Sequence, residues 1–483
     1  MKKKVIFILS MIFLANAGAL RAENIGVPAE CEDVMLQVFY WDSYDSGKSS
    51  TKYGRTKWID LLKDTAAINA NFDVVWFPPS AKGGGVGYTH KQLSNQNGDW
   101  GSKEKLVELI SALHAGNTKV LADIVINHRG NKSNWCDFEE DKFGEGYGSF
   151  QLTQQHICKG DECFTKSEST CYGADASERG AADTGDNFDG ARDLDHTNEY
   201  VQEWAKAYVR WMLEVMKYDG FRYDMTLGYH GKYLSMYNEA SKPYMSVSEL
   251  WHDINRQKQH LEEANYNTMV FDFQQKYELH KAIVNGSYSK LMKNSNSFRG
   301  QGLERYAVTF IDNHDTFERD GYGNNQFGGQ YIDLSNAAKK AQIMQAHAYI
   351  LLMPGVPCVF WPHWYSYKRD INQLIAIRKL AGIHSESQVT DEAYVQGGYT
   401  GTIHGKKHNV VLRLGKNRDM TAPAGYYQHI NADYYTVYVE GVQGVETVES
   451  QKSKVESKFL KDGQLLIHSN GKTYNAQGIL LNN

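Results

Sequence analysis

The sequence predicts an α/β fold, a (β/α)8 TIM barrel with a loop-rich subdomain inserted after its third strand and an antiparallel β domain behind it. Three observations carry this. Before Ile383, eight short apolar runs are separated by segments of helical periodicity, the alternation that builds a closed parallel sheet sheathed in helices. One connection, from Asn127 to about Asp195, breaks the rhythm and is rich in Gly, Asp, Ser and Cys. After Ile383 the pattern alternates residue by residue, with turn residues between the runs. A doubly wound open sheet is the alternative, and no phosphate-binding glycine loop supports it.

In chain order, "MKKKVIFILSMIFLANAGALRAEN" opens with three lysines, an apolar run from Val5 to Leu14 and small residues at Ala15, Ala17 and Ala22. Residues 1–22 therefore read as a signal peptide, the apolar run being too short for a retained anchor. Residues 31–384 form the barrel. Its strands are expected in "VMLQVFYW", "FDVVWFPP", "KVLADIVIN", "GFRYDM", "YMSVSELW", "MVFDF", "AVTFIDNHD" and "GVPCVFW". Helical stretches between them include "KWIDLLKDTAAIN", "SKEKLVELISALHAG", "NEYVQEWAKAYVRWMLEVM" and "NAAKKAQIMQAHAYILL". Residues 129–195 are the inserted subdomain and 385–441 the β domain. Residues 442–483 read as a charged, Ser-rich linker followed by a small hairpin module.

The net charge of −5 leaves no basic footprint and excludes nucleic acid as a partner. No later segment is expected to span a bilayer, so the mature protein is expected to be exported and soluble, periplasmic or extracellular, and monomeric. The 31 tyrosines and 10 tryptophans suit surfaces that stack flat, weakly polar ligands such as sugars, and equally suit a core. Six cysteines in an exported chain permit disulfides. Cys136, Cys158, Cys163 and Cys171 share the loop-rich region, and Cys158 with Cys163 could close a short hairpin; fifteen full pairings exist and the sequence does not choose. Zinc is the rival reading, without a supporting histidine spacing.

In "GFRYDM", Arg222 and Asp224 lie two residues apart on a strand and share a face. A buried ion pair is one reading; a carboxylate held ionised for chemistry is the other. Barrel enzymes work at the C-terminal ends of their strands. Asp224, Glu249 and Asp315 end the fourth, fifth and seventh runs, with His128 and His314 nearby. A single acid there is more often a cap or loop salt bridge; three together match glycosidic bond cleavage. That reaction needs one ionised carboxylate to attack the anomeric carbon and one protonated carboxyl to serve the leaving oxygen. Asp224 beside Arg222 fits the first. Glu249, with no cation beside it in sequence, fits the second.

The motifs "ADIVINH", "GFRYDM", "SELW" and "FIDNHD", with "ARDLDH" closing the insertion, resemble in order and separation the alpha-amylases of glycoside hydrolase family thirteen, nearest the plant-type branch. The resemblance covers about residues 34–440. It implies Asp224 as nucleophile, Glu249 as general acid/base and Asp315 as transition-state stabiliser. It implies that Arg222 holds the nucleophile, that His128 and His314 bond sugar hydroxyls, that Tyr88 stacks beneath the sugar and that Trp251 lines the cleft. It also implies a structural calcium ion held by Asn127, Asp183 and Asp193 with carbonyls of Asp186 and Gly228, a shell of the oxygen type calcium takes. Three positions depart from the family: Leu227 stands where a Lys or Arg is usual, "THKQLSNQNGDW" replaces a proline and Tyr-Asp pair after Tyr88, and "LWH" lacks an aspartate after the tryptophan. The implied activity is retaining endo-hydrolysis of α-1,4-glucosidic bonds in starch, glycogen or maltodextrins. The alternatives are an exo-acting α-glucosidase or transglycosylase, and a starch-binding protein without catalysis. The closing "LLIHSNGKTYNAQGILL" resembles C-terminal sorting tails of Bacteroidetes secretion systems, with an accessory hairpin as the alternative.

Overall fold

The computed structural model describes residues 24–45, 52–165, 174–293, 296–319 and 339–443, and in the tail 457–461, 464–469, 472–475 and 480–481. The expected signal peptide and Cys171 lie outside them.

Each of the eight apolar runs contains a strand: β1 (Met35–Gln37), β2 (Val74–Trp76), β3 (Lys119–Ile124), β4 (Gly220–Tyr223), β5 (Met245–Ser248), β6 (Met269–Phe271), β7 (Ala307–Phe310) and β8 (Val356–Phe360). They close a parallel barrel in the order β1-β8-β7-β6-β5-β4-β3-β2. Nearly every strand residue is buried, because one face fills the barrel and the other meets helices. The strands are shorter than the runs. Asp224, Glu249 and Asp315 lie beyond the last paired residue of β4, β5 and β7, where the backbone leaves the ladder and turns toward the mouth.

The "KWIDLLKDTAAIN" pattern, read as one helix, splits into α1 (Trp58–Leu61) and α2 (Thr65–Asn69). The Thr65 hydroxyl donates to Leu62 O at 3.0 Å, a local bond that competes with helical continuation. The other three quoted patterns hold as α3 (Lys103–His114), α4 (Glu199–Glu214) and α8 (Lys340–Leu352), and the structure adds α5 (Gly231–Ser241), α6 (Ile254–Glu263), α7 (Phe273–Asn285) and α9 (Trp361–Ala381). In α3, Leu106, Leu109, Ile110 and Leu113 are buried at i, i+3, i+4 and i+7, and Ser102 caps the start by accepting from Lys105 N. Asn198 and Asp253 cap α4 and α6 in the same way.

The insertion leaves after β3. It is stitched back where His128–Arg129 pairs antiparallel with Arg192–Asp193. Behind that pair, the wholly buried Arg129 meets Asp141 at 3.0 Å and spends Nη2 on the carbonyls of Lys91 and Glu139. The short hairpin between Cys158 and Cys163 does not form: Cys158 is a free buried thiol, and Cys163 is in a disulfide whose partner lies outside the described residues. Cys158 is instead drawn inward by a backbone bond from its N–H to Asp193 O at 2.8 Å.

Beyond the barrel, β9 (Val389–Val395), β10 (Gly398–His404), β11 (Asn409–Gly415), β12 (Tyr426–Ala432) and β13 (Tyr435–Glu440) form one antiparallel sheet in the order β9-β10-β11-β13-β12. The tail strands form a four-stranded antiparallel sheet of their own, larger than the hairpin expected. Among the described residues no helix is long and apolar enough to cross a membrane.

Candidate active site and cation cluster

Register brings the charges together. Arg222 on β4 lies opposite Asp123 on β3 and Val247 on β5. Its guanidinium reaches three carboxylates: Nη1 donates to Asp123 Oδ1 at 2.8 Å and Asp224 Oδ1 at 2.7 Å, and Nη2 meets Glu249 Oε2 at 2.8 Å. Glu249, with no cation beside it in sequence, thus has one beside it in space. One planar fork spans two neighbouring staves, which no point charge could do. The Met225 N–H adds a bond to Glu249 Oε2 at 3.0 Å, made possible by the left-handed backbone of Met225 (φ +48°). Asp224 and Glu249 are also in side-chain hydrogen-bond contact, as are Glu249 and Asp315. With one guanidinium reaching Asp224 at 2.7 Å and Glu249 at 2.8 Å, the two carboxylates stand side by side, as the short spacing, ~5 Å, of retaining enzymes asks.

Burial pushes all three acids above the usual carboxylate range. For Asp224 the opposing influences, Arg222 and the contact with Glu249, all lower it again. Glu249 also feels the charge of Asp224, and Asp315 those of Glu249 and Asp224, which raise them further. Asp224 is thus the one of the three on which no neighbouring charge acts upward.

A second layer supports this one. Asp123 accepts from Tyr88 OH at 2.9 Å and Trp76 Nε1 at 3.1 Å besides Arg222, while burial pushes it up to about 7. His314 Nδ1 accepts from the Gln37 amide at 3.0 Å, so its proton sits on Nε2, between Tyr88 OH at 2.9 Å and Asp315 Oδ2 at 3.3 Å. Burial, then Arg222, holds the His314 ring far below the usual histidine range and therefore neutral. Trp41 Nε1 donates to Asp315 Oδ1 at 3.2 Å. Tyr88 stacks on His314 with ring centres 5.4 Å apart.

These groups line a cavity of about 400 Å³ whose walls include Trp41, Tyr88, His128, Phe188, Trp251 and Arg319. His128 is not free to bond a ligand as expected. Its Nε2–H donates to Tyr88 O at 2.9 Å, its Nδ1 faces the Asn127 amide at 3.4 Å, and Phe188 of the insertion stacks on it at 4.0 Å. Trp251 stacks on Phe273 at 4.9 Å and donates to Tyr277 OH at 2.5 Å. Asp123, Trp41, Phe188 and Met225 were missed from sequence. An acid inside the apolar run "KVLADIVIN" was a signal for Asp123; Phe188 offered none.

Of the expected metal ligands, Asp183 and Asp193 converge. One carboxylate oxygen of each lies within 4.8 Å of the other and of Cys158 Sγ, an atom no sequence pattern assigned to this place. Both Asp193 oxygens, Asp183 Oδ2 and Asn127 Oδ1 have no hydrogen-bond partner. Asn127 Oδ1 lies against Gly228, where an added Cβ would meet it at 1.8 Å. Asp186 N donates to Leu227 O at 2.8 Å, tying the insertion to the turn after β4. Burial, contact with Asp183 and the charge of Asp183 push Asp193 up to about 10, because the two acids cannot both stay ionised without a cation between them. Orphaned buried oxygens of this kind fit a divalent cation.

Residues 68–239 match the family model described as alpha amylase, catalytic domain. The chain is 30% identical over 381 residues to a probable alpha-amylase 2 of Arabidopsis thaliana, covering 74% of this chain and 82% of that one. It is 28% identical over 431 residues to the chloroplastic alpha-amylase 3 of the same plant, of whose length it spans 43%. A solved cyclomaltodextrin glucanotransferase with a three-domain ABC distribution superposes with a TM-score of 0.63 at 15% identity, covering 85% of this chain and 99% of that one, which speaks for the fold alone. With the carboxylates at the barrel mouth and this likeness together, the chain is a glycoside hydrolase and belongs to the alpha-amylase family.

Proposed function

We propose that this protein hydrolyses internal α-1,4-glucosidic bonds of starch, glycogen or maltodextrins with retention of configuration. The observation that carries the reading is the Arg222 fork, which holds Asp224 and Glu249 at once from adjacent barrel staves. Because Arg222 occupies Asp224 Oδ1, Oδ2 is the oxygen left to attack the anomeric carbon. Because Arg222 and Met225 N occupy Glu249 Oε2, Oε1 is the atom left to carry the proton. In the first step Asp224 forms the glycosyl ester as the C–O bond breaks, and Glu249 gives its proton to the departing oxygen. In the second, Glu249 takes a proton from water as that water displaces Asp224. Asp315, steered by Trp41 and His314, accepts sugar hydroxyls as the ring flattens. Tyr88 and Trp251 contribute flat cleft surface. His128 acts mainly by holding the Tyr88 carbonyl.

A divalent cation, calcium on the family's pattern, would be held by Asn127, Asp183 and Asp193 with the carbonyls of Asp186 and Gly228. It would neutralise the paired acids and fix the insertion as a wall of the cleft. The protein is read as a monomer acting on a glucan, and among the described residues no helix is long and apolar enough to cross a membrane. The residue 1–22 pattern supports export to periplasm or medium.

Asp224→Asn tests the assignment. The swap is nearly isosteric, so the thermal melt should hold while release of reducing ends from a long maltooligosaccharide falls at least ~10³-fold, on the scale of losing a group that acts in the bond-breaking step. Turnover retained in this variant would reject Asp224 as nucleophile. A wild-type product ladder of many lengths marks endo action; one product length from the start marks exo action.

A further inference from the structure

The cation cluster contains one atom that an oxygen shell does not call for. Cys158 Sγ lies within 4.8 Å of carboxylate oxygens of Asp183 and Asp193. The thiol is free and 1% exposed. Its place is fixed by backbone: Cys158 N donates to Asp193 O at 2.8 Å, and Ile157 bridges Leu194 alongside. Sulfur and carboxylate therefore rise from paired segments and do not meet through a chance rotamer.

What surrounds the sulfur is unsatisfied. Asp193, wholly buried, leaves both oxygens without a partner, and Asp183 Oδ2 is in the same condition. Packing alone gives no reason to set a sulfur among carboxylates. One oxygen of each acid and the sulfur lie within 4.8 Å of one another, close enough for a single ion to draw all three together. Calcium takes oxygen donors, whereas thiolate, carboxylate and amide together suit a borderline ion.

We infer that Cys158 is a metal ligand, and that the centre made by Cys158, Asp183, Asp193 and Asn127 binds a thiophilic divalent ion of the zinc class in preference to calcium. The inference rests on the reading of this cluster as the cation site. When the ion enters, the metal–sulfur bond forms as the S–H bond breaks; the proton leaves to solvent and no electron changes hands.

The test uses the full chain stripped of metal. Cobalt(II), titrated in, reports sulfur ligation by a near-ultraviolet charge-transfer band. Cys158→Ser keeps the size of the side chain and offers oxygen in its place. Thermal melts with Zn2+ and with Ca2+ run in parallel on both proteins. The expected result is a cobalt band in the wild type that is absent from the variant. Zn2+ should raise the wild-type Tm at concentrations at least tenfold below those needed of Ca2+, an order that reverses in the variant. No band, or a band that persists in Cys158→Ser, overturns the inference, and if Ca2+ stabilises both proteins equally the oxygen-shell reading stands without it. Should no divalent ion raise the Tm of either protein, both readings fall.

Discussion

Arg222 carries more than the sequence assigned to it. It was read as a partner for Asp224 alone, yet its guanidinium also spans to Glu249 and back to Asp123, over the face of Trp76 at 4.9 Å. The balance of charge among the three mouth acids depends on that geometry, since Asp224 is the one of them on which every influence except burial acts downward. Arg222→Lys keeps the charge and loses the fork. One ammonium cannot bond Asp224 and Glu249 in the same planar arrangement, so kcat should fall about 10²–10³-fold, the scale seen when one preorganised donor is removed. KM should change much less, because Arg222 is 1% exposed and lies behind the acids. Full steady-state kinetics on a maltooligosaccharide check this; a large KM effect at unchanged kcat would mean that Arg222 contacts substrate directly.

At the scale of elements, barrel strands and site residues were legible to different degrees for a physical reason. Strands buried on both faces read as continuous apolar runs, so β1 to β8 stand out, and acids placed just past such runs, as Asp224 and Glu249 are, point to the mouth. The residues that were missed act across long sequence separations. Trp41 meets Asp315, Tyr88 meets Asp123, and Cys158 meets Asp183, each set by packing that local periodicity does not record. His128 was placed at the mouth correctly, but its ring nitrogens are already occupied, a fact only the fold supplies.

Two element-scale outcomes follow from close contacts. In the turn after β4, Gly228→Ala would set a Cβ 1.8 Å from Asn127 Oδ1. The amide must move away from the place proposed for it as a cation ligand, and overpacking of this kind costs about 1–3 kcal/mol. Calorimetry should show a lower Tm and, more tellingly, a Tm that no longer responds to chelator. On α6, His260 is wholly buried with Nε2 at 3.0 Å from Ser248 Oγ, and burial pushes its ring down to about 3. The unfolded chain binds that proton below its ordinary pKa of about 6.5, and the folded chain does not until pH falls to the depressed value. The contribution is thus whole above about pH 6.5 and is lost as pH falls, at about 1.4 kcal/mol per pH unit. Urea melts at pH 6, 5 and 4 should show His260→Gln losing about that slope; His128 and His196, both pushed down to about 4 by burial, keep a remainder in the variant.

Across the whole molecule, the cleft depends on a segment with little structure of its own. The insertion supplies Phe188 over His128, but its regular elements are a few short strand pairs and single turns. Separate contacts hold it to the barrel, among them the pairing of His128–Arg129 with Arg192–Asp193, the Asp186 N–H bond to Leu227 O at 2.8 Å, the Trp204 Nε1 bond to Asp141 at 2.9 Å and the cation cluster. The barrel, closed by eight parallel strands, has no such dependence. Removal of the ion should therefore open the insertion before it opens the barrel. A ligand present at 100 times its Kd stabilises the folded form by about 2.7 kcal/mol, so excess chelator should lower the Tm by several degrees and lower activity with it. Under chelation at a temperature well below that Tm, limited proteolysis should cut between residues 129 and 195 while far-ultraviolet circular dichroism stays at its starting value, and restored metal should abolish the cuts. Cuts that appear only as the barrel signal disappears would show that insertion and barrel unfold as one unit, and the cation would then act on the stability of the whole fold in place of the cleft wall.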